Sequence, residues 1–343
     1  MRSLSDGAKA TVLGAFVEGW RRVLRAPALV LAVLAMTFVA ALPSAVVLRG
    51  MLADHLGQSL TAERALGQWD AEWTTEFAAQ ARDVGRTFTY EILGFGGTIA
   101  AIGGLLDGQG PPPSLRVAIA IYLVAWVLLS GGLLDRLARG RALRPFAFFA
   151  ACGGHAGRLL RLALVTGAGY YAIFRWLHPL LFSVAPAWLT SEGSSETTRL
   201  AVQAGLYVVL VAALALVNVV SDYAKVRLVV EDRRSALAGL AASWRFVRRR
   251  PGRVAGLYVL NVMALLIVLR LWMQIAPSAT SASWVALLAV QVSLLARLWT
   301  RLAFIASQIV FFQGELAHAS YAAAPRPVWP DAAAVEAVAR LKR

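Results

Sequence analysis

The sequence predicts an all-α, polytopic membrane helix bundle, and three observations carry that reading. The first is composition. Of 343 residues, 59% are hydrophobic and only 15% charged, with a mean hydropathy of +0.63. Soluble domains average about 45–50% apolar and about 25% charged residues, so the chain departs from them in both directions. The second is a set of six apolar stretches, each near the roughly 20 residues a helix needs to cross a bilayer core. The third is the alternation of arginine-rich and arginine-poor segments between those stretches, which is how loops on the two sides of a membrane differ.

The predicted spans are 28–48, 117–134, 159–184, 200–221, 254–273 and a segment within 284–312. The first is too long, and too far from the start, for a signal-peptide core of about 7–15 residues, so it reads as a retained anchor. The third carries Arg175 and His178, and the sixth carries Arg297 and Arg301. Residues 88–106, FTYEILGFGGTIAAIGGLL, are apolar but hold five glycines and Glu91. A span there would reverse every later loop, so the stretch reads as an interfacial helix or a re-entrant hairpin. Residues 1–320 thus form one integral membrane domain, and 321–343 a cytoplasmic tail.

Of 34 basic residues, 24 fall in the N-terminal arm, in 135–161, in 222–253 and in the tail. The intervening segment 49–116 holds five basic and eight acidic residues, and 274–283 holds no basic residue. Cytoplasmic loops are the ones enriched in Lys and Arg, so six spans with both termini in the cytoplasm satisfy every loop. Basic residues that are arginine apart from Lys9, Lys225 and Lys342, beside abundant alanine, fit a high-GC bacterial genome and an inner membrane. Cys152 is the sole cysteine, so no intrachain disulfide forms.

One octet is written twice. WRRVLRAP (20–27) and WRFVRRRP (244–251) share Trp, Arg, Val, Arg and Pro at the same offsets. Upstream of each, apolar residues recur at helical spacing: Val12, Leu13, Phe16, Val17, Trp20, Val23 and Leu24 in one, and Leu237, Leu240, Trp244 and Val247 in the other. Proline then breaks the ladder where an apolar span begins. The unit reads as an elbow, with an amphipathic helix lying in the headgroup plane and turning into the bilayer. Its expected anionic-lipid surface is Trp20, Arg21, Arg22, Arg25, Trp244, Arg245, Arg248, Arg249 and Arg250, because each basic residue near an anionic leaflet contributes about 1 kcal/mol. PFAFFAACGGHAGR (145–158) is a looser third copy without the Trp or the closing Pro. The architecture expected is two or three units of surface helix plus a hairpin of spans. Nucleic acid is not the expected partner, since the basic segment is short and tied at both ends to the bilayer.

The repeated helix–Pro–span unit resembles the membrane-domain superfamily found beside bacterial glycerophosphodiester phosphodiesterases and in related uncharacterised integral membrane proteins. GGLLDRLARGR (131–141), FFAACGGHAGRLLRLAL (148–164) and DYAKVRLVVEDRRSALAGL (222–240) carry the likeness. It implies a six-span bundle and no catalytic residues.

Charged groups inside a bilayer are costly and are functional candidates by default. Arg297 and Arg301 share one helix face, and an acid such as Asp222 is a possible partner. Snorkelling to the inner surface is the other reading. Arg175 and His178 form an i, i+3 pair near the outer half of the third span, either a substrate or proton site or an interfacial anchor. Asn218 and Asn261 read as helix–helix hydrogen bonders. Cys152 and His155 have the spacing of half a metal site with no second half, so neither metal nor cofactor is expected. On the outer side, Leu66, Trp69, Trp73 and Phe77 form an aromatic stripe beside Asp70, Glu72 and Glu76, read as solvated carboxylates. No nucleophile motif, phosphate loop or zinc signature appears. The function expected is non-enzymatic: a scaffold, or a protein that handles lipid or a small solute through a basic face. A transporter using Arg297, Arg301, Arg175 and His178 is second, and an intramembrane lipid enzyme third.

Overall fold

The computed structural model describes residues 11–59, 70–88, 96–140, 143–189, 195–276 and 283–316, and these are helical without strands. The helices are α1 (Val12–Leu24), α2 (Pro27–Leu56), α3 (Ala71–Gln80), α4 (Gly96–Leu106), α5 (Pro113–Arg139), α6 (Pro145–Ala172), α7 (Glu196–Val230), α8 (Ala236–Arg249), α9 (Pro251–Ile275) and α10 (Ser283–Glu315). Five of them, α2, α5, α7, α9 and α10, are long and apolar enough to cross a membrane. Large apolar side chains such as Phe38, Val46, Val124, Val208, Ile267 and Val292 stand exposed along α2, α5, α7, α9 and α10. An exposed apolar surface of that extent is what lipid-facing helices present.

The expected third span is the one that is not a single α-helix. α6 passes through a π-helical turn at Ile173–Leu177 and another at Leu180–Val184, then closes in a last α turn, Ala185–Leu189. Pro179 lies between the two π turns. It has no N–H to give the ladder, and its ring crowds the preceding carbonyl; the chain responds by widening its turns on either side. The stretch 88–106 yields an eleven-residue helix, α4, too short to cross a bilayer; residues 89–95 lie outside the described residues. On that same side Trp73 and Phe77 of α3 stack at 5.5 Å and take His55 of α2 edge-on, so the aromatic stripe packs on the end of a span. Leu66 and Trp69 lie outside the described residues.

The twin octets fold alike. Thr11 caps α1 through Gly14 N, and Ser235, at the same offset of 224 residues, caps α8 through Ala238 N. Ala26 (φ −138°, ψ 53°) and Arg250 (φ −139°, ψ 46°) make the same bend, and Pro27 and Pro251 open the next helices. The elbow is therefore present twice. The looser copy has none, because α6 runs unbroken from Pro145 into its apolar half.

These helices also dock on other helices of the bundle, which the sequence pattern does not specify. α1 packs along the C-terminal half of α10, α8 along that of α7, and the N-terminal half of α6 along that of α5. Small residues permit each approach. A Cβ on Gly19 would lie 2.5 Å from Ser307 N, one on Gly132 2.6 Å from Cys152 Sγ, and one on Gly239 3.5 Å from Leu228 Cδ2. The hairpin pairs α2–α5, α6–α7 and α9–α10 join these docked pairs into a ring of three units, with α5, α7 and α10 touching one another in the middle. The ring closes through α1 on α10, the first described helix on the last. Its largest core draws on all three units, including Val23, Leu137, Tyr223, Phe246, Leu302 and Phe311, and lies at the arginine-rich end.

Candidate functional site

Where α5, α7 and α10 meet, the bundle holds a polar cluster centred on Asp222 of α7. Its carboxylate accepts from Lys225 Nζ at 2.9 Å and Asn218 Nδ2 at 3.3 Å on its own helix. It also accepts from Tyr258 OH of α9 at 3.0 Å and Gln308 Nε2 of α10 at 3.2 Å. Gln308 donates as well to Tyr258 OH at 2.7 Å, closing a triangle among three side chains from three helices. The spacing of Asn218, Asp222 and Lys225 brings them onto one face of α7. Four donors from three helices thus engage the one carboxylate.

A cavity of about 190 Å³ opens beside this cluster, lined by Trp126, Ser130, Asp222, Lys225, Arg301 and Gln308 among others. Arg301 lies with its guanidinium carbon 3.7 Å from the centre of the Trp126 ring and donates to the Tyr122 hydroxyl. It has no carboxylate partner among the described residues. Arg301 and Phe304 also line a second, larger cavity of about 450 Å³, where Arg297 joins Thr37, Asn261, Leu265 and Leu298. The wall of that cavity is mostly apolar. It lies further from the C-terminal end of α10 than the polar one, since it reaches back to Leu294 while the polar cavity extends on to Gln308.

The residues singled out in sequence are thus distributed. Arg297 and Arg301 share a face and a cavity, as their spacing implies. Asp222 shares the other cavity with Arg301, but no ion pair joins them. Lys225, Asn218, Tyr258 and Gln308 already occupy the Asp222 oxygens, and Arg301 lies instead on an aromatic face. Arg175 and His178 line neither cavity. Arg175 is exposed, while His178 Nε2 meets the Leu106 carbonyl at 2.8 Å, with its ring 4.9 Å from that of Phe182. Asn261 donates to Ser307 Oγ at 3.1 Å, a helix–helix bond between α9 and α10.

The expected lipid surface divides in two. Arg21, Arg25, Trp244, Arg245, Arg248 and Arg249 are exposed. Arg22 points inward. Its Nη1 donates to Leu137 O at 2.8 Å and Gln313 Oε1 at 3.0 Å, satisfying the C-terminal end of α5. Gln313 completes that end by donating to Ala138 O at 3.1 Å. Burial lowers the pKa of the Arg22 guanidinium, and Glu18 at 3.6 Å opposes the shift. Trp20 is half-buried with its ring 5.7 Å from Phe16. Arg250 is engaged too, donating to Glu315 Oε2 at 2.6 Å and lying 4.9 Å from the Phe246 ring centre.

Sequence reasoning missed Lys225, Tyr258, Gln308, Trp126 and Glu315. For two of them a signal was present. Lys225 follows Asp222 by three residues, and Glu315 is the only acidic residue from 233 to 330, a segment rich in arginine. Comparison with family models, with curated proteins and with solved structures gives no match to the chain.

Proposed function

We propose that this is a six-span protein of a bacterial inner membrane, with both termini cytoplasmic, that binds an anionic amphiphile of the inner leaflet across the two cavities that Arg301 lines. The sixth crossing in this reading is the second half of α6 with its π turns. The observation that carries the proposal is Arg301, a guanidinium held on Trp126 that lines both a polar and an apolar cavity, with no acidic partner among the described residues. An arginine at membrane depth is costly and marks a partner. Arg301 and Lys225 outnumber Asp222, so a ligand with one negative charge balances the polar cavity. The apolar cavity lies deeper along α10, so a headgroup at Arg301 sends its chain toward the bilayer midplane, as an inner-leaflet lipid does. The exposed arginines of α1 and α8 support the same side of the membrane as the anionic one. This role is non-enzymatic.

Lipid retention by purified protein, measured by native mass spectrometry, tests it. Phosphatidylglycerol is expected to stay bound in preference to phosphatidylcholine, and Arg301→Gln to weaken it about tenfold, the loss of one charged hydrogen bond. Equal retention of the two lipids, or an unchanged Arg301→Gln variant, would overturn the assignment.

Transport is the second reading, favoured by the widened turns around Pro179 that carry Arg175 and His178. Interrupted helices are a mark of transporter sites. Solute uptake into proteoliposomes that falls with His178→Ala would favour it over simple retention.

A further inference from the structure

A separate cavity of about 180 Å³ lies where the C-terminal ends of α7, α8 and α10 meet, lined by Arg227, Arg233, Arg245, Arg249, Arg250 and Phe246 among others. Five guanidiniums and no carboxylate line it among the described residues. Glu231 accepts from both Arg227 and Arg233, and Glu315 is shared by Arg250 and Arg253. Both acids are buried, at 6% and 3% side-chain exposure, and each is paired with two arginines. Arg245 and Arg249 stand one helical turn apart on α8, exposed, with no acidic partner among the described residues.

Arg227 is the deepest of the five. It is 7% exposed and is flanked by Phe312 at 5.0 Å and Phe246 at 5.9 Å. Its Nη1 donates to Glu231 at 3.3 Å, while its Nε is buried without a hydrogen-bond partner. A buried N–H of a charged group left unmade is expensive, and this one belongs to a cavity wall. Arg250 also lies over the Phe246 ring, 4.9 Å from its centre. Aromatic contact restrains the planar guanidiniums and leaves their N–H edges for a ligand.

We propose that this cavity is an anion site for a phosphoryl group of charge −2 or more, a phosphomonoester or a pyrophosphate. Arg forks match phosphate oxygens in pairs, and only a multiply charged anion balances the guanidinium surplus. The group comes either from a soluble phosphorylated compound or from a phosphomonoester lipid headgroup. The site is independent of the Arg301 cavities, sharing no lining residue with them.

The full chain in phosphatidylcholine nanodiscs, titrated with inorganic pyrophosphate at low salt, provides the test. Pyrophosphate is expected to raise the melting temperature, and the double substitution Arg245→Gln/Arg249→Gln to weaken binding at least about tenfold. Both side chains are exposed, so the variant is expected to fold. Arg301→Gln is expected to bind pyrophosphate as the unsubstituted chain does, so this proposal and the amphiphile assignment fail separately. In a second arm, phosphatidic acid replaces part of the phosphatidylcholine. Stabilisation by phosphatidic acid but not by pyrophosphate, lost in the double variant, identifies a headgroup as the source. Stabilisation by neither, or binding of either that is unchanged in the double variant, overturns the site.

Discussion

Gly19→Ala is expected to destabilise the fold by about 3 kcal/mol, at the upper end of what overpacking costs. The added Cβ would meet Ser307 N at 2.5 Å and Ser307 Cα at 2.6 Å, which are backbone atoms of a helix and have no rotamer to escape into. α1 must lift away from α10, and Ala15 and Val23, both fully buried on the same face, lose their contacts with it. Thermal unfolding in detergent, followed by tryptophan fluorescence, reads the loss. Gly157→Ala is the control. It lies within α6 with nothing within 4 Å of the added methyl, so it is expected to be neutral or to stabilise by roughly 0.5–1 kcal/mol.

Glu315→Gln is expected to cost about 1.5–3 kcal/mol, the range for hydrogen bonds to charged groups, because the arginines it pairs with are partly exposed. The side chain is 3% exposed and pairs with both Arg250 and Arg253, so neutralising it removes the carboxylate that the two guanidiniums share at the end of the core. The same melting experiment applies. Asp232→Asn provides the contrast. Asp232 pairs with Arg158 but is 75% exposed, and solvent-screened pairs contribute about 0–1 kcal/mol. The Arg158 hydrogen bond holds the Asp232 carboxyl below its usual range. A depressed carboxylate stabilises above its unfolded pKa and loses that contribution as pH falls through the folded one. The small Asp232 contribution is therefore complete at neutral pH and fades only in acid. A Glu315→Gln chain melting with the wild type would show that Arg250 and Arg253 find other partners.

Much of the fold was legible where a local rule decides it. Hydropathy and length mark α2, α5, α7, α9 and α10, and the two prolines at matched offsets mark both elbows. What the amphipathic pattern of α1 and α8 does not contain is the identity of the neighbour. A stripe of Ala15, Gly19 and Val23 says that one face is covered, and a lipid surface or a second helix satisfies that pattern equally. The third unit was legible only as a looser copy, for a related reason. Its docking segment is fused to the span in α6 without a proline, so no break announces it. At the polar cluster, spacing placed Arg297 beside Arg301 because that is a property of a single helix. The partners of Asp222 come from α9 and α10 as well as from its own turn, and inter-helix adjacency has no periodic signature in one chain. Tyr258 and Gln308 read only as isolated polar residues in apolar runs until the helices are assembled.

The ring that closes through Gly19 and Ser307 also sets an order of events during biosynthesis. At roughly 5–20 residues per second, the ribosome needs roughly 15–60 seconds between translating those two positions. For most of that interval the first amphipathic segment has left the exit tunnel while its docking groove does not yet exist. Only when the last helix arrives can α1 bury Ala15, Gly19 and Val23 against it and Arg22 donate to Gln313.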